Sequence, residues 1–162
     1  MHNIVNYIKD SCNSAIGYYN KNEKRYKGTH IFADYKGLIG DEKEIGDFVY
    51  KLMVESIVNA SSMKIVHKNL VILNEETQGI YTPPGFTAIL ALLQLDSSHM
   101  TVTSFTSHSY TEKADMGLMC IDIFTCNSDD TYKIIEYFES KIKEKYSSVE
   151  RIHIEMHQRF KY

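Results

Sequence analysis

Ser98 lies in Asp96-Ser97-Ser98-His99, between the apolar run Phe86 to Leu95 and the alternating stretch His99 to Phe105. A serine at a tight corner between two strands can attack the carbonyl before it, converting a peptide to an ester. Elimination then cuts the chain and leaves a ketone at the new N-terminus. Such a pyruvoyl group condenses with an amine and serves as an electron sink. The serine needs one neighbour that moves protons and another that holds the developing oxyanion. His99 is adjacent, although consecutive side chains on a strand point to opposite faces. His99, Thr101 and Thr103 therefore share one face, and Ser98, Met100 and Val102 the other. Cys126 ends a second alternating strand, on one face with Cys120, Asp122 and Phe124. Taken alone, Asp-Ser-Ser is also an ordinary hairpin corner, and an isolated cysteine also reads as a small buried filler.

Other constellations carry less. His153-x-Glu155-x-His157 puts two imidazoles and a carboxylate on one strand face, a pattern able to seat a divalent ion. Arg151 and Arg159 fall in the same row, so it reads as a solvated, ion-paired face, and no metal is expected. His30 and His67 read as single structural histidines. No phosphate loop, dinucleotide fingerprint or nucleophile elbow occurs.

Composition sets outer bounds. With 162 residues, 43% hydrophobic and 24% charged, the chain suits one globular domain. A formal charge of −3 gives no electrostatic case for nucleic acid. Three cysteines without a C-x-x-C, and a start lacking a basic and then apolar signal region, predict a reduced intracellular protein. The longest apolar run, broken by Gln94, is too short to cross a bilayer. The expected location is the cytoplasm, with no membrane partner.

The elements that must hold Ser98 and Cys126 follow from periodicity. Residues 1–27 read as an amphipathic leader helix (Ile4, Ile8, Cys12, Ile16) and a polar linker, ahead of a domain over 28–162. Gly28 to Asp34 reads as a strand. Asp41 with Glu44 is a capping pattern for a helix whose apolar face is Ile45, Phe48, Val49, Leu52, Met53 and Ile57. Strands are expected over Met63 to Leu73, Phe86 to Leu95, His99 to Phe105 and Gly117 to Cys126. A second helix follows Asn127 to Asp130, with Ile134, Ile135, Phe138 and Ile142 on one side. In the last strand Ile152, Ile154 and Met156 are expected to face one way, and Arg151, His153, Glu155, His157 and Arg159 the other. This order predicts an α+β two-layer sandwich: a largely antiparallel sheet with two main helices on one face and an internal β-α-β-β pseudo-repeat. The apolar run at Phe86 implies that the sheet's other face is also covered, by a second subunit in a homodimer.

Gly28-Thr29-His30-Ile31-Phe32-Ala33-Asp34, Gly85-Phe86-Thr87-Ala88, Ser98-His99-Met100-Thr101-Val102 and Asp122-Ile123-Phe124-Thr125-Cys126 occur in that order. Together they resemble the bacterial-type S-adenosylmethionine decarboxylase proenzyme family from about Gly28 onward. The resemblance implies self-cleavage between Ser97 and Ser98, a pyruvoyl cofactor made from Ser98, and Cys126 as the acid that protonates the product carbon. It implies that Thr87 assists processing, that S-adenosylmethionine is decarboxylated for spermidine synthesis, and that protomers pair. The chain departs from the family pattern at Ser97, where glutamate is usual, and at Asn127, where glycine is usual. Thr103 stands where a processing histidine is usual, and threonine cannot take up a proton at neutral pH as imidazole can. His108, on a lengthened loop, is the candidate substitute base. An unprocessed homologue acting as a binding partner, or a pyruvoyl decarboxylase of arginine or ornithine, are the alternatives.

Overall fold

The computed structural model describes residues 28–73, 88–96, 98–105, 117–126 and 128–159. The expected leader helix and linker, Thr87, Ser97, His108 and Asn127 lie outside the described residues.

Strand β1 (Thr29–Lys36) leads to helix α1 (Glu42–Ala60) and strands β2 (Ile65–Leu73) and β3 (Ala88–Leu95). Strands β4 (His99–Phe105) and β5 (Leu118–Thr125), helix α2 (Ser128–Lys145) and strand β6 (Glu150–Gln158) follow. Each half thus supplies three strands and one helix. The strands form one sheet in the order β2-β3-β4-β5-β1-β6 with antiparallel pairing throughout. The antiparallel α+β expectation holds.

Local chemistry accounts for the elements. The Asp41 carboxylate accepts from the Glu44 N–H at 2.9 Å, satisfying a donor that a bare helix start would leave unpaired. Ile45, Val49, Leu52, Met53 and Ile57 of α1 and Ile134, Ile135, Phe138 and Ile142 of α2 are buried, as their spacing predicts. They cover the sheet face made by Ile31, Ala33, Tyr35, Ile89, Ala91, Leu93, Met100, Val102, Ile121 and Ile123. Glycines close the end of the sheet remote from Ser98. Gly37 has φ +86°, and a Cβ on Gly117 would stand 1.8 Å from the Leu38 carbonyl oxygen.

Strand β6 corrects one expectation. Pairing with β1 shifts register between Asp34 and Tyr35, so Tyr35 faces Arg151 while Asp34 faces His153. Ile152 is the extra residue of this bulge and lies 54% exposed. Arg151 turns to the helix side instead, where its guanidinium donates to Glu139 of α2 at 2.9 Å. The inversion coincides with a part-buried ion pair: Arg151 meets Glu139 on the helix side, and Ile152 faces outward.

Strand β3 is covered by the helices on one face. Ile89, Ala91, Leu93 and Leu95 are buried, while Leu90 and Leu92 remain 39% and 38% exposed on the face without helices. No helix among the described residues is long and apolar enough to cross a membrane.

Candidate active site

Ser98 stands at the β3–β4 corner, where the Leu95 N–H donates to its carbonyl at 2.9 Å. The Ser98 side chain is buried, and its Oγ accepts from the Cys126 N–H at 3.3 Å. Two positions 28 residues apart in sequence are thereby joined, because β4 and β5 are neighbours and the corner packs beside the end of β5.

Cys126 is exposed just past β5, not a buried filler. Its backbone is held from both sides. Thr125, fully buried, shares a hydroxyl hydrogen bond with Thr131 of α2, and the Cys126 N–H reaches Ser98.

The open face carries polar groups beside this corner. His99 of β4, Phe124 of β5, His30 of β1 and His157 of β6 form one row across four strands. Thr101, Asp122, Phe32 and Glu155 form the next row. His30 Nε2 lies 2.6 Å from Asp122 Oδ1, and His99 Nε2 lies 3.5 Å from the same oxygen. The Arg159 guanidinium sits 3.3 Å from His30 Nδ1. A guanidinium can only donate, so Nδ1 accepts and His30 carries its proton on Nε2, directed at Asp122. His99 stacks on Phe124 at a centroid distance of 5.9 Å, and His30 meets Phe32 at 4.2 Å.

Thr103 is elsewhere. It pairs with Leu90 on one side and Cys120 on the other. Five residues of extended strand place it about 16 Å from Ser98. The structure therefore brings Ser98 and Cys126 together, places His99 beside them on the open face, and leaves Thr103 apart. Cys120 donates to Asp34, and partial burial with that carboxylate pushes its thiol above the ordinary range. It is poorly suited to act as a nucleophile.

Sequence reading missed the convergence of His30 and Asp122 on His99. Each sits at a correctly read position on its strand, but which strands adjoin is not a local property. The row His153–Glu155–His157 is exposed, as expected, with His157 Nε2 3.2 Å from Glu155.

A family model described as S-adenosylmethionine decarboxylase matches residues 29–154, from the first residue of β1 into β6. No curated protein matches the chain.

Proposed function

Because the chain belongs to the S-adenosylmethionine decarboxylase family, we propose that it is a self-processing, pyruvoyl-dependent decarboxylase of S-adenosylmethionine acting in spermidine synthesis. The observation that carries this reading is the hydrogen bond from the Cys126 N–H to Ser98 Oγ at 3.3 Å. It joins the serine that would be converted to the cysteine that would act on product.

In processing, Ser98 Oγ attacks the Ser97 carbonyl and the Ser97–Ser98 peptide bond becomes an ester. Loss of the α-proton of Ser98 expels the Ser97 carboxylate. Water then replaces nitrogen, releasing ammonia and leaving the pyruvoyl group on residue 98. A fixed N–H on Oγ holds the hydroxyl in one orientation, which favours a single line of attack. Thr87 assists this step by its hydroxyl. Thr103 has no basic atom, so proton removal is assigned to His108, with His99 as the adjacent alternative. Once formed, the pyruvoyl group supplies an electron sink for carbon dioxide loss. Cys126, exposed at the strand end, delivers a proton to the product carbon. The exposed apolar side chains Val71, Leu90, Leu92, Phe105 and Leu118 on the open face support pairing of two protomers there.

Intact mass of the freshly purified chain tests the reading. Two fragments, 1–97 and 98–162, are expected, with the larger-numbered one labelled by a hydrazide. Ser98→Ala leaves one uncut chain. His108→Ala and His99→Ala then separate the two proton acceptors. A wild-type protein that stays full length and traps no hydrazide overturns the proposal. Carbon dioxide release from S-adenosylmethionine, arginine and ornithine separates the substrates.

A second reading, an unprocessed homologue that binds a processed relative, is favoured by Thr103 and its distance from Ser98. An intact chain co-purifying with a cleaved partner would support it.

A further inference from the structure

We propose that His30, His99 and Asp122 form a binding site for a divalent first-row transition-metal ion such as zinc or cobalt. The proposal does not rest on the decarboxylase reading. One nitrogen from each imidazole and one carboxylate oxygen lie within 4.8 Å of one another. The three residues come from the adjacent strands β1, β4 and β5, so sheet hydrogen bonds fix their spacing. Phe124 lies between the two histidines in one row, and the Asp122 carboxylate rises to them from the next.

The dimensions suit an ion. Ligand atoms at 2.0–2.2 Å from zinc in tetrahedral array are about 3.3–3.6 Å apart. His99 Nε2 and Asp122 Oδ1 already stand 3.5 Å apart. His30 Nε2, at 2.6 Å from that oxygen, needs to retreat from it by less than about 1 Å, and the two imidazole nitrogens, within 4.8 Å of one another, need to settle at the same spacing. The His30 side chain is only 13% exposed, and Phe32 and Phe124 pack against its ring, restricting its rotation. Two imidazoles and one carboxylate favour zinc, cobalt or nickel over magnesium or calcium, which prefer all-oxygen shells. Three protein ligands leave a coordination position free toward the open face.

The competitor is a proton. Without metal, His30 Nε2–H donates to Asp122, and Arg159 holds that tautomer from Nδ1. An ion must displace the Nε2 proton, and the ring must then protonate Nδ1, which Arg159 opposes. Metal affinity should therefore rise on removal of that guanidinium.

Cobalt(II) titration of the tag-free full-length protein, followed by its visible absorption and by calorimetry with zinc, tests the proposal. A single equivalent with d–d bands of low coordination number is expected. Asp122→Asn and His30→Ala should each weaken binding at least about tenfold, and Arg159→Gln should tighten it. His153→Ala should change nothing. Circular dichroism of each variant without metal separates lost binding from lost folding, and His99→Gln, on the more exposed histidine, provides a milder second variant. Absence of cobalt bands, or binding that survives Asp122→Asn and His30→Ala but fails in His153→Ala, overturns the site. Chain cleavage, read by intact mass in the wild type and in the variants that keep His99, reports on the decarboxylase reading independently.

Discussion

Met100 and Val102 point to the helix side of β4 and are at most 1% exposed, whereas His99, Thr101 and Thr103 on the same strand point to the open side and remain accessible. The contrast runs across the whole sheet. One face is sealed by α1 and α2 and is mostly hydrocarbon, with buried hydroxyls at Thr29, Ser56, Ser104, Thr125 and Thr131 and the Arg151–Glu139 pair at its margin. The other carries histidines and Asp122 near the Ser98 corner, and Leu90, Phe105 and Leu118 toward the far end. Packing resides on the first face and the histidine–aspartate cluster on the second, because a strand offers its two faces independently, while the Ser98 side chain is buried on the side of Met100 and Val102.

The largest test of that division compares two phenylalanines. Phe138→Ala, on α2 with no exposure, should cost about 3–5 kcal/mol in urea unfolding. Phe105→Ala, 37% exposed on the open face, should cost under about 1.5 kcal/mol. Equal costs would break the comparison.

Arg151→Met should follow, at about 1–2 kcal/mol, because it removes one of two cations from the part-buried Glu139 carboxylate and leaves Lys143 on the other oxygen. Adding Glu139→Leu should restore most of the loss, and a double-mutant cycle reads the coupling. An Arg151→Met variant as stable as wild type would mean that the bulge at Ile152 is not maintained by this pair.

Leu90→Ser should leave monomer stability within about 1 kcal/mol. It should weaken self-association about tenfold, a change of about 1.4 kcal/mol, seen by light scattering across a dilution series. Unchanged association would remove the apolar end of the open face from any interface.

The smallest effect concerns Cys120. Burial, then Asp34, raises its thiol above the ordinary value of 9.0, so the neutral form is favoured in the fold. Its contribution to stability is complete below pH 9.0 and is lost as pH rises through the raised value. Iodoacetamide should label Cys120 more slowly in the native than in the unfolded chain at pH 8.5, and Asp34→Asn should narrow that difference.

Residue pattern alone made much of this legible. The Asp41 cap, the buried faces of both helices and the alternation of β4 and β5 were all read from spacing, because capping and periodicity act over a few residues. The bulge in β6 escaped that reading. Strict alternation predicts that Ile152 faces inward, whereas Arg151 does so instead and meets the Glu139 carboxylate of α2, a partner that spacing does not show.

By itself the sequence determined which segments become strands and helices, which side of most of them is apolar, and that Ser98 falls at a corner and Cys126 at a strand end. Tertiary structure alone decided that β1 inserts between β5 and β6, setting His30 beside Asp122 and His99. It also decided that the Cys126 N–H meets Ser98 Oγ while Thr103 lies far down the strand. The physical reason is that a two-residue repeat assigns each side chain a face but not a neighbour. Neighbours are chosen by pairing between strands distant in sequence, and a one-residue change of register would alter every such contact.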